Sequence, residues 1–423
     1  MLQSHKPISQ FTLRGIRSLL IAFCFLLTNG LVLENVAAGT DAKQLQWITT
    51  WAAPSDSAAP ELEPQTLRQI MRVSLGGTAV RVRISNEYGD RPLQIHAATI
   101  AYHDHDGLIR EKSAKTMRLA GKEVFSVPVG QSVTTDAVEL AVDALQELAI
   151  SLYFAQGTGA ATIHSTGLQT VYITNKEDQT AFVSPRVDNK DDSRYFVTDI
   201  DVLAESKARS IVIVGDSTSD GVGSGQDRNM RWPDQLASRL QMNQATRHIA
   251  VINSGISGNR ILNDGLEPFL GPSTLKRFDR DVLNRAKVEW IVLLQGVNDI
   301  AGSLVFSDAK QVVSATQIIE GMREIIDRAH AHKIKVYGAT ILPRAGATGP
   351  LASTPKSEEM RQQVNAWIRN SKAFDAFIDF DEIIRDPAQV TRQLPQYNSG
   401  DGRHPNAMGY QIMAAAIDLS LFE

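Results

Sequence analysis

The hydrophobic period of this chain changes once, near residue 205, and that change limits the fold more than any other feature. From about residue 47 to 203, short runs alternate apolar and polar residues between turn signals. Residues 69–75 (QIMRVSL) precede Gly76-Gly77, residues 79–85 (AVRVRIS) precede Asn86, and residues 148–154 (LAISLYF) lead to Gly157. A period of two bounded by Gly, Asn and Asp predicts antiparallel strands with one buried face, and hence a β-sandwich. Beyond Arg209, apolar runs recur at residues 211–214, 249–252, 290–294, 336–341 and 377–380, with helical patterns between them. Strands alternating with helices predict an α/β domain, a parallel sheet with helices on both sides. The clearest helix is predicted over residues 309–332, where Val312, Ala315, Ile319, Met322, Ile326 and Ala329 share one face.

The first forty residues read as a leader rather than as structure. Lys6, Arg14 and Arg17 precede an apolar run over residues 19–27, and Val36-Ala37-Ala38 offers small residues where a signal peptidase cuts. Residues 1–38 are thus expected to be a signal peptide, which sends the protein to the periplasm or outside the cell. The run is interrupted at Thr28-Asn29-Gly30 and falls short of the roughly 20 residues that span a bilayer, so no stable membrane insertion is expected. The only cysteine, Cys24, lies in this segment, leaving the exported chain without a thiol. A length of 423 residues suits two domains, at 43–204 and 205–423, and a net charge of −4 without a basic stripe argues against a nucleic-acid partner.

A parallel sheet carries its site beyond the carboxyl ends of its strands, which directs attention to four segments. The stretch at 211–225, IVIVGDSTSDGVGSG, raises the choice between a phosphate-binding loop and a nucleophile. Gly221, Gly223 and Gly225 are spaced G-x-G-x-G rather than G-x-G-x-x-G, the next helix is expected only near Trp232, and Asp216 and Asp220 place negative charge where a phosphate would sit. Ser217 then stands just past the first strand, as a nucleophile or as a turn former. Residues 253–259 (NSGISGN) follow the second strand, with Gly255 able to offer a backbone N–H or simply to make a turn. Gly296-Val297-Asn298-Asp299 follows the third; the Asn298 amide is a neutral donor suited to developing negative charge, and Asp299 suits structural bonding. Near the C-terminus, Asp401 and His404 are three residues apart in one loop, so a single turn can present an imidazole and the carboxylate that orients it. The acidic stretches at 103–106 and 188–193 are expected to be solvated loops rather than metal sites.

Taken together, G-D-S, N-x-G, G-x-N-D and D-x-x-H in this order resemble the SGNH hydrolases, or GDSL family, over about residues 209–423. Thr218 stands where many members have leucine, and nothing here matches the G-x-S-x-G elbow of the α/β-hydrolases. Residues 66–74, 231–236 and 255–260 further resemble a two-domain secreted branch that includes esterases associated with xylan breakdown. The resemblance implies a flavodoxin-like three-layer α/β/α domain after a jelly-roll-like β-sandwich. It also implies ester hydrolysis through an acyl-enzyme. Ser217 would be the nucleophile, His404 the base and Asp401 its orienting carboxylate, with the oxyanion held by the Ser217 and Gly255 N–H groups and the Asn298 side chain. Asp216, Trp232, Asn259 and Arg260 lie close in sequence to these loops and are candidates for substrate contact. No metal or organic cofactor is implied. The expected partner is an acylated small molecule or polysaccharide. A broad arylesterase, a lipase or lysophospholipase, and a glycan-binding protein with a vestigial hydrolase half remain alternatives, and no oligomeric state can be read.

Overall fold

A computed structural model describes residues 44–305, 311–349 and 352–423. The expected signal peptide and Cys24 lie outside the described residues.

The N-terminal region is built from antiparallel sheets. A four-stranded sheet has the order Leu45–Ala52, Val197–Glu205, Val80–Ser85, Ser132–Thr134. Its period-two pattern works as the sequence suggests: Val80, Val82 and Ile84 point into the core, while Arg81 and Arg83 point outward and pair with Asp201 and Asp199. A six-stranded sheet has Gln65–Arg72 and Glu147–Phe154 at its centre. Leu67, Met71, Ile150 and Leu152 from this sheet meet Ile48, Val82 and Val202 from the other in a single apolar core, so the two sheets are sandwiched. One expectation needs correction: the large sheet is not open on its far face. Arg68 is fully buried there, because its guanidinium donates to the Ser151 hydroxyl and to the carbonyls of Gly107, Thr180 and Phe182 in loops that fold over it. Burying a cation without these acceptors would be costly.

Four residues after the sandwich's last strand the pattern switches. Five parallel strands stand in the order Ile249–Gly255, Arg209–Gly215, Val288–Leu294, Lys335–Ala339, Ala376–Ile378, which is 2-1-3-4-5 in chain sequence. That is the flavodoxin-like order, and its chain reversal beside the first strand opens a crevice at the strands' carboxyl ends. Both faces are covered. Val212 and Val214 pack toward helices Ala315–Ala331 and Pro355–Asn370, and Ile211 and Ile213 toward Trp232–Met242 and Ala407–Ala415. Continuous apolar strands follow from this two-sided burial. The long helix starts at Ala315 rather than 309, since Ser314 and Gln317 form a reciprocal capping box; Val312 precedes it and is exposed.

The parallel sheet's outer strand lies against the sandwich. Ala250 joins the sandwich core, and the Val251 N–H donates to the Ser74 hydroxyl at 2.9 Å. Residues Lys43–Glu423 form one compact unit. Among the described residues, no helix is long and apolar enough to cross a membrane.

Candidate active site

The first parallel strand ends at Gly215, where a Cβ would collide with the Ser219 hydroxyl and approach the Leu294 carbonyl. Asp216 then caps a one-turn helix, Ser217–Asp220, by accepting the Thr218 N–H at 3.1 Å. A helix thus begins at Ser217, earlier than the pattern predicted, and places the serine on its first turn. Ser217 Oγ lies 2.8 Å from His404 Nε2, and His404 Nδ1 lies 2.5 Å from Asp401 Oδ2.

The loop bearing the last two residues is held by its own bonds. Asp401 Oδ1 accepts the N–H groups of Arg403 and His404, and Asn398 accepts those of Gly400 and Gly402. Asn406 caps the final helix through the Gly409 N–H. The side chain of residue 404 is therefore aimed before any ligand arrives.

These groups open on a pocket. Its polar side carries Ser217, Ser257, Gly258, Asn298 and His404; Val222, Leu294, Val297, Ile341 and Leu342 supply an apolar wall. Asn298 donates one amide hydrogen to the Asn259 carbonyl at 3.1 Å, leaving the other for the pocket. Among the described residues, the N–H groups of Ser217 and Gly258 have no hydrogen-bond partner.

Residues 213–412 match the family model described as GDSL-like Lipase/Acylhydrolase. This part of the chain is a GDSL-like acylhydrolase domain. Among solved structures, it is similar to a GDSL-like lipase from Bacteroides thetaiotaomicron, at 23% identity over 51% of this chain and 88% of the other, with a TM-score of 0.38. An acetyl xylan esterase matches at 18% identity over 49% and 96%, with a TM-score of 0.36. A variant of an acetyl-xylooligosaccharide esterase from Geobacillus Stearmophilus matches at 19% over 49% and 91%, with a TM-score of 0.37. No curated protein matches.

Within the GDSL domain several sequence-based assignments change. Gly255 does not line the pocket. It ends the second strand in register with Gly215, and its N–H is already donated to Asn253 Oδ1 at 3.0 Å. Ser217 lies two residues beyond Gly215, so a donor facing it must also lie beyond the strand end. Gly258 does, at φ +75°, where glycine is favoured. Trp232 does not line the pocket: it is wholly buried, edge-on to Phe380. Asn259 is a buried hub. Its Oδ1 accepts from Thr274, Arg277 and Gln295, and its Nδ2 donates to the carbonyls of Leu270 and Pro272. Arg260 is also buried outside the pocket and donates to the Asp264 carbonyl. Of the four substrate-contact candidates only Asp216 lines the pocket. Asp299 accepts the N–H groups of Ile261 and Leu262, bracing the loop that carries Gly258.

Two residues the sequence did not suggest, Arg344 and Arg403, also line the pocket. Burial pushes His404 below its ordinary 6.5; Asp401 opposes this, and the charges of Arg403 and Arg344 add to the lowering. Burial alone would raise Asp401, yet bonds from the His404 backbone and ring and from the Arg403 N–H bring it down to about 2. At neutral pH the pair is thus an ionised carboxylate beside a neutral imidazole, the state a general base requires. Burial raises Asp216 to about 7, the Thr218 N–H opposing and the Asp299 charge adding to the rise.

Proposed function

We propose that this protein is a serine ester hydrolase working through an acyl-enzyme. The observation that carries the reading is the hydrogen-bonded chain Ser217–His404–Asp401 beside three N–H donors in one pocket. Ser217 Oγ attacks the acyl carbonyl carbon as its proton passes to His404 Nε2. The carbonyl electron pair moves onto oxygen, which accepts from the Ser217 and Gly258 N–H groups and from Asn298 Nδ2. Collapse expels the alcohol, which takes the proton from His404. Water then attacks the acyl-enzyme with His404 as base, releasing the carboxylic acid and regenerating Ser217.

The substrate is proposed to be an acylated glycan outside the cytoplasm, with acetate or another short acyl group released. The leader-like residues 1–38 and the absence of a basic stripe in the sequence support that setting. The five apolar side chains of the wall support a second reading, hydrolysis of aryl or lipid esters with longer acyl groups. Hydrolysis rates on acetylated xylan and on medium-chain acyl esters, each measured beside Ser217→Ala, separate the two. Full activity in Ser217→Ala would end the proposal in either form.

A further inference from the structure

The one-turn helix that begins with Ser217 ends with Asp220, and Asp220 is buried. One of its carboxylate oxygens accepts both the N–H and the hydroxyl of Ser257, at 2.9 and 2.7 Å. Ser257 precedes Gly258, so this carboxylate ties the nucleophile's helix to the turn that presents the second backbone donor. The other oxygen lies 3.0 Å from His164 Nε2. His164 ends the strand Ala161–His164, the middle of a three-stranded sheet of the N-terminal region, whose Ala161 and Ile163 pack into the sandwich core.

The contacts of His164 suit a charged ring. Its Nδ1 lies 2.9 Å from the Pro54 carbonyl, which can only accept, so Nδ1 carries hydrogen. A bond from Nε2 to an ionised Asp220 requires a second hydrogen on the ring. An imidazolium satisfies both contacts, and Asp56 Oδ2, 3.8 Å from Nδ1, adds a second carboxylate beside it. Arg72, Arg194, Arg231 and Asp234 line the same cavity between sandwich and GDSL domain, so the ring faces charges of both signs. Burial opposes the charged form, but the charge and hydrogen bond of Asp220 and the charge of Asp56 prevail, and the ring's pKa rises to about 8.

We propose that His164 is a positioning residue for the reaction: as an imidazolium it holds Asp220, and Asp220 sets the Ser257–Gly258 turn against Ser217. The inference rests on the acyl-enzyme reading above. It gives the sandwich a part in catalysis without contact to the substrate. Removing one oxyanion donor outright costs roughly 10² to 10³ in rate; loosening one costs less, so His164→Ala is expected to lower kcat about 10- to 100-fold with KM within about twofold. His164→Gln, which keeps an N–H toward Asp220, recovers part of that loss. Wild-type kcat falls as pH rises through about 8, and this limb is missing in His164→Gln.

The test measures kcat and KM on an aryl acetate from pH 5 to 9.5 for wild type, His164→Ala, His164→Gln and Ser217→Ala, together with amide hydrogen exchange at residues 255–259. Faster exchange in that turn in His164→Ala, with kcat lowered, supports the proposal. Unchanged kcat and unchanged exchange in a folded His164→Ala overturn it, and an alkaline limb that persists in His164→Gln overturns the role of the charge. If His164→Ala fails to fold, the glutamine variant decides by the same readouts. An active Ser217→Ala would instead refute the acyl-enzyme reading, and the exchange measurement would still decide whether His164 sets the turn.

Discussion

Asn298→Ala separates two roles that one side chain performs. In the structure its amide gives one hydrogen to the buried Asn259 carbonyl and keeps the other for the pocket. Truncation leaves that carbonyl without its donor and removes one of three groups proposed to hold the oxyanion. Leaving that buried carbonyl without its donor costs about 1–3 kcal/mol of stability. The lost transition-state contact is worth about 2.7–4 kcal/mol, a fall of roughly 10² to 10³ in kcat. The catalytic loss should therefore match or exceed the stability loss in free energy, and the variant should remain folded. Denaturant titration gives the first quantity; kcat and KM on an aryl acetate give the second. Because the contact forms as charge develops, kcat and kcat/KM should fall together. Activity within about threefold of wild type in a folded variant would refute the donor role of Asn298.

Other consequences are open to direct measurement. kcat/KM should rise with pH through a midpoint below 6.5, because protonated His404 cannot act as base and its pKa is lowered; Arg403→Gln, which removes a neighbouring positive charge, should move that midpoint upward. His164 binds its proton more tightly folded than unfolded, so its contribution is complete below pH 6.5 and is lost as pH rises through about 8. The rise from 6.5 to about 8 corresponds to about 2 kcal/mol, which thermal unfolding should show as a falling Tm over this window in wild type and a flatter profile in His164→Gln. Trp232→Ala should cost about 3–5 kcal/mol of stability by denaturant titration while leaving KM of the folded fraction unchanged; a specific KM effect would return it to the substrate pocket.

The parts of the site legible in sequence are those anchored to a strand end or a single turn. Ser217 lies two residues past Gly215, Asn298 follows the third strand, and Asp401 and His404 share one loop, so local spacing constrains each. Gly255 was displaced by three residues because the length of the second strand, and hence its register against the first, depends on pairing that spacing alone does not reveal. Trp232, Asn259 and Arg260 are near the site along the chain but are turned into the interior, where packing and backbone bonds use them. Arg344 and Arg403 reach the pocket without a motif of their own. His164 was the least legible, since its partner Asp220 is 56 residues away, on the helix that follows the first parallel strand. The sandwich and the parallel sheet follow from hydrophobic period and the flavodoxin-like order from the family resemblance, but the loops burying Arg68 follow from neither.

The placement of Ile249–Gly255 at the margin of the parallel sheet has a further bearing on how the halves can be used apart. Its apolar side chains and outer backbone edge lie where Ser74 and the sandwich core meet it. A fragment starting at residue 205 would bare this border to water and to identical copies, inviting strand-to-strand aggregation. The sandwich thus also serves as a built-in solubility shield for the hydrolase half.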